Sequence, residues 1–361
     1  MNNTEILTKH PQLPEVFAQA LLSWYQKNAR ALPWRENTDP YRIWVSEIML
    51  QQTRVEAVRG YFTRFIARLP DLKSLAAADE EALLKLWEGL GYYSRVRNLQ
   101  RAAREIEARF GGEFPQSYDA LLSLPGIGAY TAGAICSIAF DQPTPAVDGN
   151  VLRVMTRLTA FGADISEPAT KRQIAALLET LYPRAQCGLF TQSLMELGAT
   201  VCVPNGAPLC GVCPVSQLCA AYQSGTQADF PVKKPKKPRR VEQRTVFILR
   251  CGELVAVQKR KQGGLLGGLW EFPNVEGTLT EGEALQQAAL WWLNVREIRA
   301  GKRKKHIFTH IEWEMQSFVI DCEPSPDGAP QGDFLWVTSA LLSGEIALPS
   351  AFAGFTEEAF R

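Results

Sequence analysis

Cys202, Cys210, Cys213 and Cys219 lie in the stretch VCVPNGAPLCGVCPVSQLC, with seven, two and five residues between them. The other four of the eight cysteines, Cys136, Cys187, Cys251 and Cys322, are scattered. In a reducing compartment a tight thiol cluster reads as a metal site rather than as disulfides. Four thiolates can hold tetrahedral zinc or a [4Fe–4S] cluster, and spacing alone favours zinc, since four-cysteine zinc sites are common. A dense cluster of unligated thiols would oxidise. A second chemical feature is the segment LPGIGAYTA, where Gly126 and Gly128 permit a tight turn before a helix starting at Ala129. Backbone amides exposed there can take a phosphate oxygen without reading a base. An ordinary bend between two helices is the plainer reading. A third is Glu47, set among the apolar neighbours Ile43, Trp44, Ile48 and Met49. Partial desolvation raises a carboxyl pKa and can keep a proton available for transfer.

Those residues need a scaffold. Residues 1–225 read as helical, with apolar positions recurring at three- and four-residue spacing in 14–27, 40–53, 79–88 and 95–110. Asp39 before Pro40 suits a helix start, and Asp79 before EEALLKLW suits another. Residues 231–244 (PVKKPKKPRRVEQR) hold seven basic residues and one acid, the composition of a solvated linker or of one that follows a phosphate backbone. Beyond it the pattern changes. RTVFILR (244–250), ELVAVQKR (253–260), EWEMQSFVI (312–320) and DFLWVT (333–338) read as strands, the first two joined at Cys251-Gly252, and GEALQQAALWWL (282–293) as a helix.

Composition bounds the answer without naming it. The 361 residues are long for a single core, and 46% hydrophobic with 21% charged residues is ordinary for a globular protein. The net charge of +1 does not announce nucleic acid by itself. No apolar run approaches the roughly 20 residues that span a membrane. The N-terminus carries no secretory apolar region, so a cytoplasmic, nucleoid-associated location is expected.

Taken in order, these segments resemble the endonuclease III superfamily of helix-hairpin-helix DNA glycosylases. The cysteine loop follows FTQSLMELGAT and closes the helical part, as the superfamily's iron–sulfur loop does, with a first gap one residue longer than usual. LPGIGAYTA resembles the hairpin, and VDGNVLRV places Asp148 at the distance where the superfamily keeps its catalytic Asp. ALPWRENTDPYRIWVSEIMLQQTRVEAV (31–58) resembles the MutY branch, in which Glu47 matches the general acid. Bifunctional members carry lysine where this chain has Tyr130, and tyrosine forms no Schiff base. The resemblance therefore implies a monofunctional adenine glycosylase, a hydrolase of base excision repair that acts on duplex DNA with adenine opposite 8-oxoguanine or guanine.

It also implies roles. Glu47 protonates N7 of a flipped adenine, and ionised Asp148 faces the cationic sugar, with Tyr130 and Asn150 holding Asp148 and the attacking water. Asn150 has an alternative use as a helix N-cap. Gln192 contacts the base, and Arg30 and Glu196 line the pocket or sit on a helix surface. Gln52 inserts beside the lesion position, and Tyr92 is a wedging aromatic or core packing.

The C-terminal part, through GGLLGGLWEFPNVEG (263–277), resembles a Nudix-like domain. Its helix lacks the glutamate pattern that holds magnesium, so a recognition module is expected rather than a second enzyme. Phe308, Thr309 and His310 match the loop that senses 8-oxoguanine, with Thr309 keeping the hydroxyl of the more usual serine. The expected fold is multidomain. An all-α glycosylase domain spans 1–225, with a six-helix barrel at about 32–138 and a [4Fe–4S] subdomain from 1–31 and 139–225. A linker (226–243) and an α+β Nudix-like domain (244–361) follow. A monomer that touches no membrane is expected.

Overall fold

The computed structural model describes residues 13–235, 238–324 and 332–360. The first twelve residues of the expected cluster subdomain, residues 236 and 237 of the linker, and residues 325–331 lie outside the described residues. The chain forms two compact units, one from residues up to Ala78 with Arg97–Pro235, the other from Asp79–Val96 with residues from Lys236 onward.

The first unit is helical. In chain order it contains α1 (Leu13–Asn28), α2 (Pro40–Leu50), α3 (Val55–Arg68) and α4 (Leu72–Ala77). α5 (Glu80–Leu86) falls in the second unit, and α6 (Ser94–Phe110) begins there. α7 (Tyr118–Leu122), α8 (Ala129–Phe140), α9 (Gly149–Thr159), α10 (Pro168–Glu179), α11 (Cys187–Thr200) and α12 (Ala220–Gln223) follow. The expected helix starts hold. Asp39 accepts the Tyr41 N–H at 2.9 Å, and Asp79 accepts that of Ala82 at 3.0 Å. α2 stops at Leu50 rather than running to residue 53, because Gln51 leaves the helical region (ψ 111°) and Gln52 follows in a left-handed conformation (φ 60°).

One core joins α1, α9, α10 and α11 through Phe17, Leu21, Met155, Leu178, Phe190 and Leu194, all at most 1% exposed. Each such side chain contributes about 1.5–3 kcal/mol on burial. A smaller cluster of Ile43, Ala134, Ile138 and Ala146 locks α2 onto α8. Gly198 lets α11 approach the start of α9, since a Cβ there would lie 2.5 Å from Asn150 Cβ. Both packings bring carboxyl-bearing segments toward one place.

The second unit is built on a mixed sheet. Its strands are β1 (Arg240–Cys251), β2 (Leu254–Lys259), β3 (Trp270–Glu271), β4 (Asn274–Glu276), β5 (Val295–Ile307), β6 (Ile311–Cys322) and β7 (Leu335–Val337). The main order is β3-β2-β1-β6-β5, with β4 on β1 and β7 on β2. β1 and β6 run parallel from Arg240↔Ile311 to Arg250↔Asp321. α13 (Glu281–Leu290) covers one face through Ala284 and Ala288 against Phe247, Leu249 and Ile320. The other face packs Val246, Trp313 and Met315 on Phe352 and Phe355, contributed by α15 (Ser350–Ala353) and the turn after it; α14 (Ser339–Gly344) and α16 (Thr356–Ala359) flank them.

β5 was not expected from the sequence. Its thirteen residues, VREIRAGKRKKHI, alternate between polar and half-buried positions without an apolar face. Among the described residues it pairs with β6 alone, at the sheet edge, where charged side chains are the usual composition. The expected helix 282–293 ends at Leu290, and β1 starts at Arg240, inside the basic run. Part of that run is tied down. Lys234 Nζ donates to Glu167 at 3.1 Å, and Arg239 Nε to the Phe308 carbonyl at 3.1 Å. Among the described residues no helix is long and apolar enough to cross a membrane.

Candidate active site

α2, α8, α9 and α11 of the first unit enclose a cavity of about 640 Å³. Glu47 enters from α2, Tyr130 from the first turn of α8, Asp148 and Asn150 from the start of α9, and Gln192 and Glu196 from α11. Arg30 and Gln52 complete the set, so eight residues expected from the sequence share one cavity.

Asp148 is the N-cap of α9, its Oδ1 accepting the Val151 N–H at 2.7 Å and its Oδ2 the Asn150 Nδ2–H at 2.8 Å. The alternative use of Asn150 as the cap is thereby excluded. Its amide is oriented by buried Arg153, whose Nη2 donates to Asn150 Oδ1 at 2.9 Å and whose Nε donates to the Cys202 carbonyl at 2.6 Å. Tyr130 donates its hydroxyl to Glu47 Oε2, on the helix against which α8 packs.

Burial acts on both acids, in different surroundings. Glu47 is 5% exposed. Burial pushes its pKa up to about 7; the Tyr130 hydrogen bond and Arg35 pull it down, while Asp148 pushes it further up. Burial also raises Asp148, against hydrogen bonds from Val151 and Asn150 that favour its ionised form. Burial and the two carboxyls drive Tyr130 well above its ordinary value, so it stays a donor. One carboxyl thus keeps a proton near neutrality while the other has three hydrogen-bonding and charged neighbours that favour its anion.

The cavity also holds an ion cluster that sequence reasoning read only in part. Glu196 is 0% exposed and accepts from Arg30 Nε at 2.7 Å and Nη2 at 2.9 Å, and from Arg35 Nη2 at 2.8 Å. Burial would raise its pKa, but the two guanidiniums more than offset that and lower it. A helix-surface role for the pair is excluded. Arg35 and Tyr25, which donates to Gln192 Oε1 at 2.7 Å, were not singled out from the sequence. Their partners lie more than 160 residues away, and no local spacing reveals them.

The remaining expected residues lie elsewhere. Gly126 has φ +75°, and a Cβ there would sit 2.7 Å from Asn98 Cβ. Gly128 caps α8 with no side chain, leaving the first amides of that helix uncapped by side-chain oxygen. In the second unit Phe308, Thr309 and His310 form the turn between β5 and β6, closed by Phe308 N–H to the Ile311 carbonyl at 2.8 Å. Phe308 packs on His306 and Trp313, while Thr309 and His310 are exposed. Tyr92, 46% exposed at φ 48°, places its hydroxyl 2.8 Å from Thr309 Oγ1, which excludes core packing.

Cys202, Cys210, Cys213 and Cys219 all line a second, small cavity of about 30 Å³ in the first unit. Burial, with the neighbouring thiols adding to it, pushes Cys213 up to about 11, and the same causes raise Cys210 and Cys219. These three thiols resist ionisation, and a bound cation reverses that. Arg157 Nη1 donates to Cys202 Sγ at 3.3 Å. The donor set fits a thiolate-held metal group, although among the described residues no three donors stand at metal-holding distance.

A family profile described as the HhH-GPD superfamily base excision DNA repair protein matches residues 45–183, and one described as a NUDIX domain matches 245–358. The chain is 39% identical to the adenine DNA glycosylase of Mus musculus, over 89% of this chain and 74% of that protein. It is 34% identical to that of Buchnera aphidicola subsp. Schizaphis graminum, over 85% and 88%. Among solved structures, that of a thermostable thymine-DNA glycosylase is 29% identical with a TM-score of 0.54, covering 59% of this chain and 98% of that one. An endonuclease III–DNA complex, 22% identical over the same shares with a TM-score of 0.50, shows the shared helical fold. Because the identity runs through the carboxyl-lined helical unit and into the C-terminal sheet, in a mammal and a bacterium alike, the chain belongs to the adenine DNA glycosylase family and is a DNA repair hydrolase.

Proposed function

We propose that the enzyme excises adenine paired with 8-oxoguanine, or with guanine, in duplex DNA. The observation that carries the chemistry is the single cavity in which Glu47 and Asp148 differ in environment. A glycosidic bond inside the stack is shielded, so the adenine is flipped into the cavity. Tyr130 occupies Glu47 Oε2, which leaves Oε1 to hand its proton to N7 of the base. The C–N bond breaks with its electron pair leaving on neutral adenine. Asp148, held by Val151 and Asn150, stabilises the oxocarbenium left behind, and water completes hydrolysis. No lysine occupies the position of Tyr130, which supports a monofunctional reaction with no Schiff base. Gly126 and Gly128 would hold a backbone phosphate on the α8 amides.

Recognition of the lesion is assigned to Thr309, with Phe308 and His310 shaping the turn and Tyr92 wedging beside it. Gln52 would fill the space vacated by the flipped base. The four cysteines would hold a [4Fe–4S] cluster, which supplies a structural staple for the loop after α11. The enzyme would act as a monomer. The test is strand nicking on duplexes with adenine opposite 8-oxoguanine or guanine, with and without hot alkali. Breaks only after alkali agree with the proposal; breaks without alkali, or release of thymine from a mismatch, contradict it.

A further inference from the structure

Gln192 lines the cavity, and one of its two amide atoms is already committed. Tyr25, on α1, is 6% exposed and donates its hydroxyl to Gln192 Oε1 at 2.7 Å. A buried hydroxyl proton needs an acceptor, and the reversed amide would face that proton with an NH2 group. The ring of Tyr25 is itself fixed, with the Arg35 guanidinium 5.5 Å from its centre and Arg35 clamped to Glu196. We infer that Tyr25 is a specificity-determining positioning residue: it locks the Gln192 amide so that its NH2, not its carbonyl, addresses the extruded base.

This rests on the reading of the cavity as the adenine pocket. A fixed N–H donor suits N1 of adenine, a bare acceptor. Hypoxanthine and guanine carry N1–H there, so two donors would face each other unpaired. Hypoxanthine keeps N7 for Glu47, so its rejection reports recognition rather than protonation.

Single-turnover excision of adenine and of hypoxanthine, each opposite guanine, tests the inference in Tyr25→Phe, Gln192→Ala and the double variant. Tyr25→Phe keeps the ring and frees the amide to turn its carbonyl inward. The adenine-to-hypoxanthine rate ratio should fall by about tenfold, with the melting temperature near that of the parent. In the Gln192→Ala background the same substitution should change the ratio no further. If Tyr25→Phe slows both bases equally and keeps the ratio, Tyr25 only supports the fold and the inference is overturned. If Gln192→Ala itself leaves rate and ratio intact, Gln192 does not contact the base, and the assignment of that residue fails instead.

Discussion

Glu47 illustrates how one side chain trades stability for chemistry. Its folded pKa of about 7 stands above the ordinary 4.5, so the folded state holds its proton more tightly than the unfolded chain. Two consequences follow with definite sign. In the proposed mechanism excision needs the protonated form, so its rate should fall about tenfold per pH unit above 7, and it should also fall on the acid side where Asp148 protonates. Rates that stay flat from pH 7 to 9 would contradict the general-acid assignment. For stability, the protonated carboxyl is tolerated below pH 4.5, and its contribution is lost as pH rises through 7. Glu47→Gln should therefore melt higher than the parent at pH 8, by roughly 3 kcal/mol, with the gain vanishing near pH 4.5. Melting curves at the two pH values check this. Glu47 and Asp148 were legible because they sit in long, distinctive motifs. Tyr25 and Arg35 were not, since their importance lies in contacts across more than 160 residues.

At the scale of elements, the α7–α8 turn depends on Gly126, which combines a positive φ with a neighbour too close for any Cβ. Gly126→Ala should cost about 1–3 kcal/mol of stability and, through the proposed contact of the turn's amides with a phosphate, weaken binding to duplexes of any sequence alike. A filter-binding series with and without a mismatch would show this; a loss confined to mismatched DNA would contradict it. The loop after α11 is tied to α9 through Arg153. Arg153→Ala should leave the Asn150 amide unheld and lower both excision and the visible absorbance that the proposed [4Fe–4S] cluster would give, whereas Arg153→Lys should restore part of each. Helices were readable from their apolar spacing and caps, as at Asp39 and Asp79. β5 was not, because six of its thirteen residues are Lys or Arg and an edge strand needs no apolar face. Its place follows only from β6, whose full length must pair on both sides.

Across the whole molecule, the chain order and the compact units do not coincide. Residues 79–96 belong with the C-terminal part, where Trp270 Nε1 donates to Glu81 at 3.0 Å, Lys85 to the Ile346 carbonyl at 2.9 Å, and the Leu348 N–H to Glu88 at 2.7 Å. A change from helical to strand periodicity after residue 243 was visible in the sequence; the attachment of an earlier helix to the later sheet was not. Deleting residues 241–361 strips these partners from α5. The truncated enzyme should still release adenine, melt lower than the full chain, and lose its preference for 8-oxoguanine over guanine as the opposing base. Equal discrimination by the truncated enzyme would remove the recognition role given to Thr309.

The most direct measurement is single-turnover release of free adenine from an 8-oxoguanine-containing duplex by the parent enzyme, Glu47→Gln and Asp148→Asn, with duplex affinity measured alongside. The mechanism predicts that each variant binds as the parent does and releases adenine at least about a hundredfold more slowly. Release at near-parental rate by either variant, with binding intact, would contradict it.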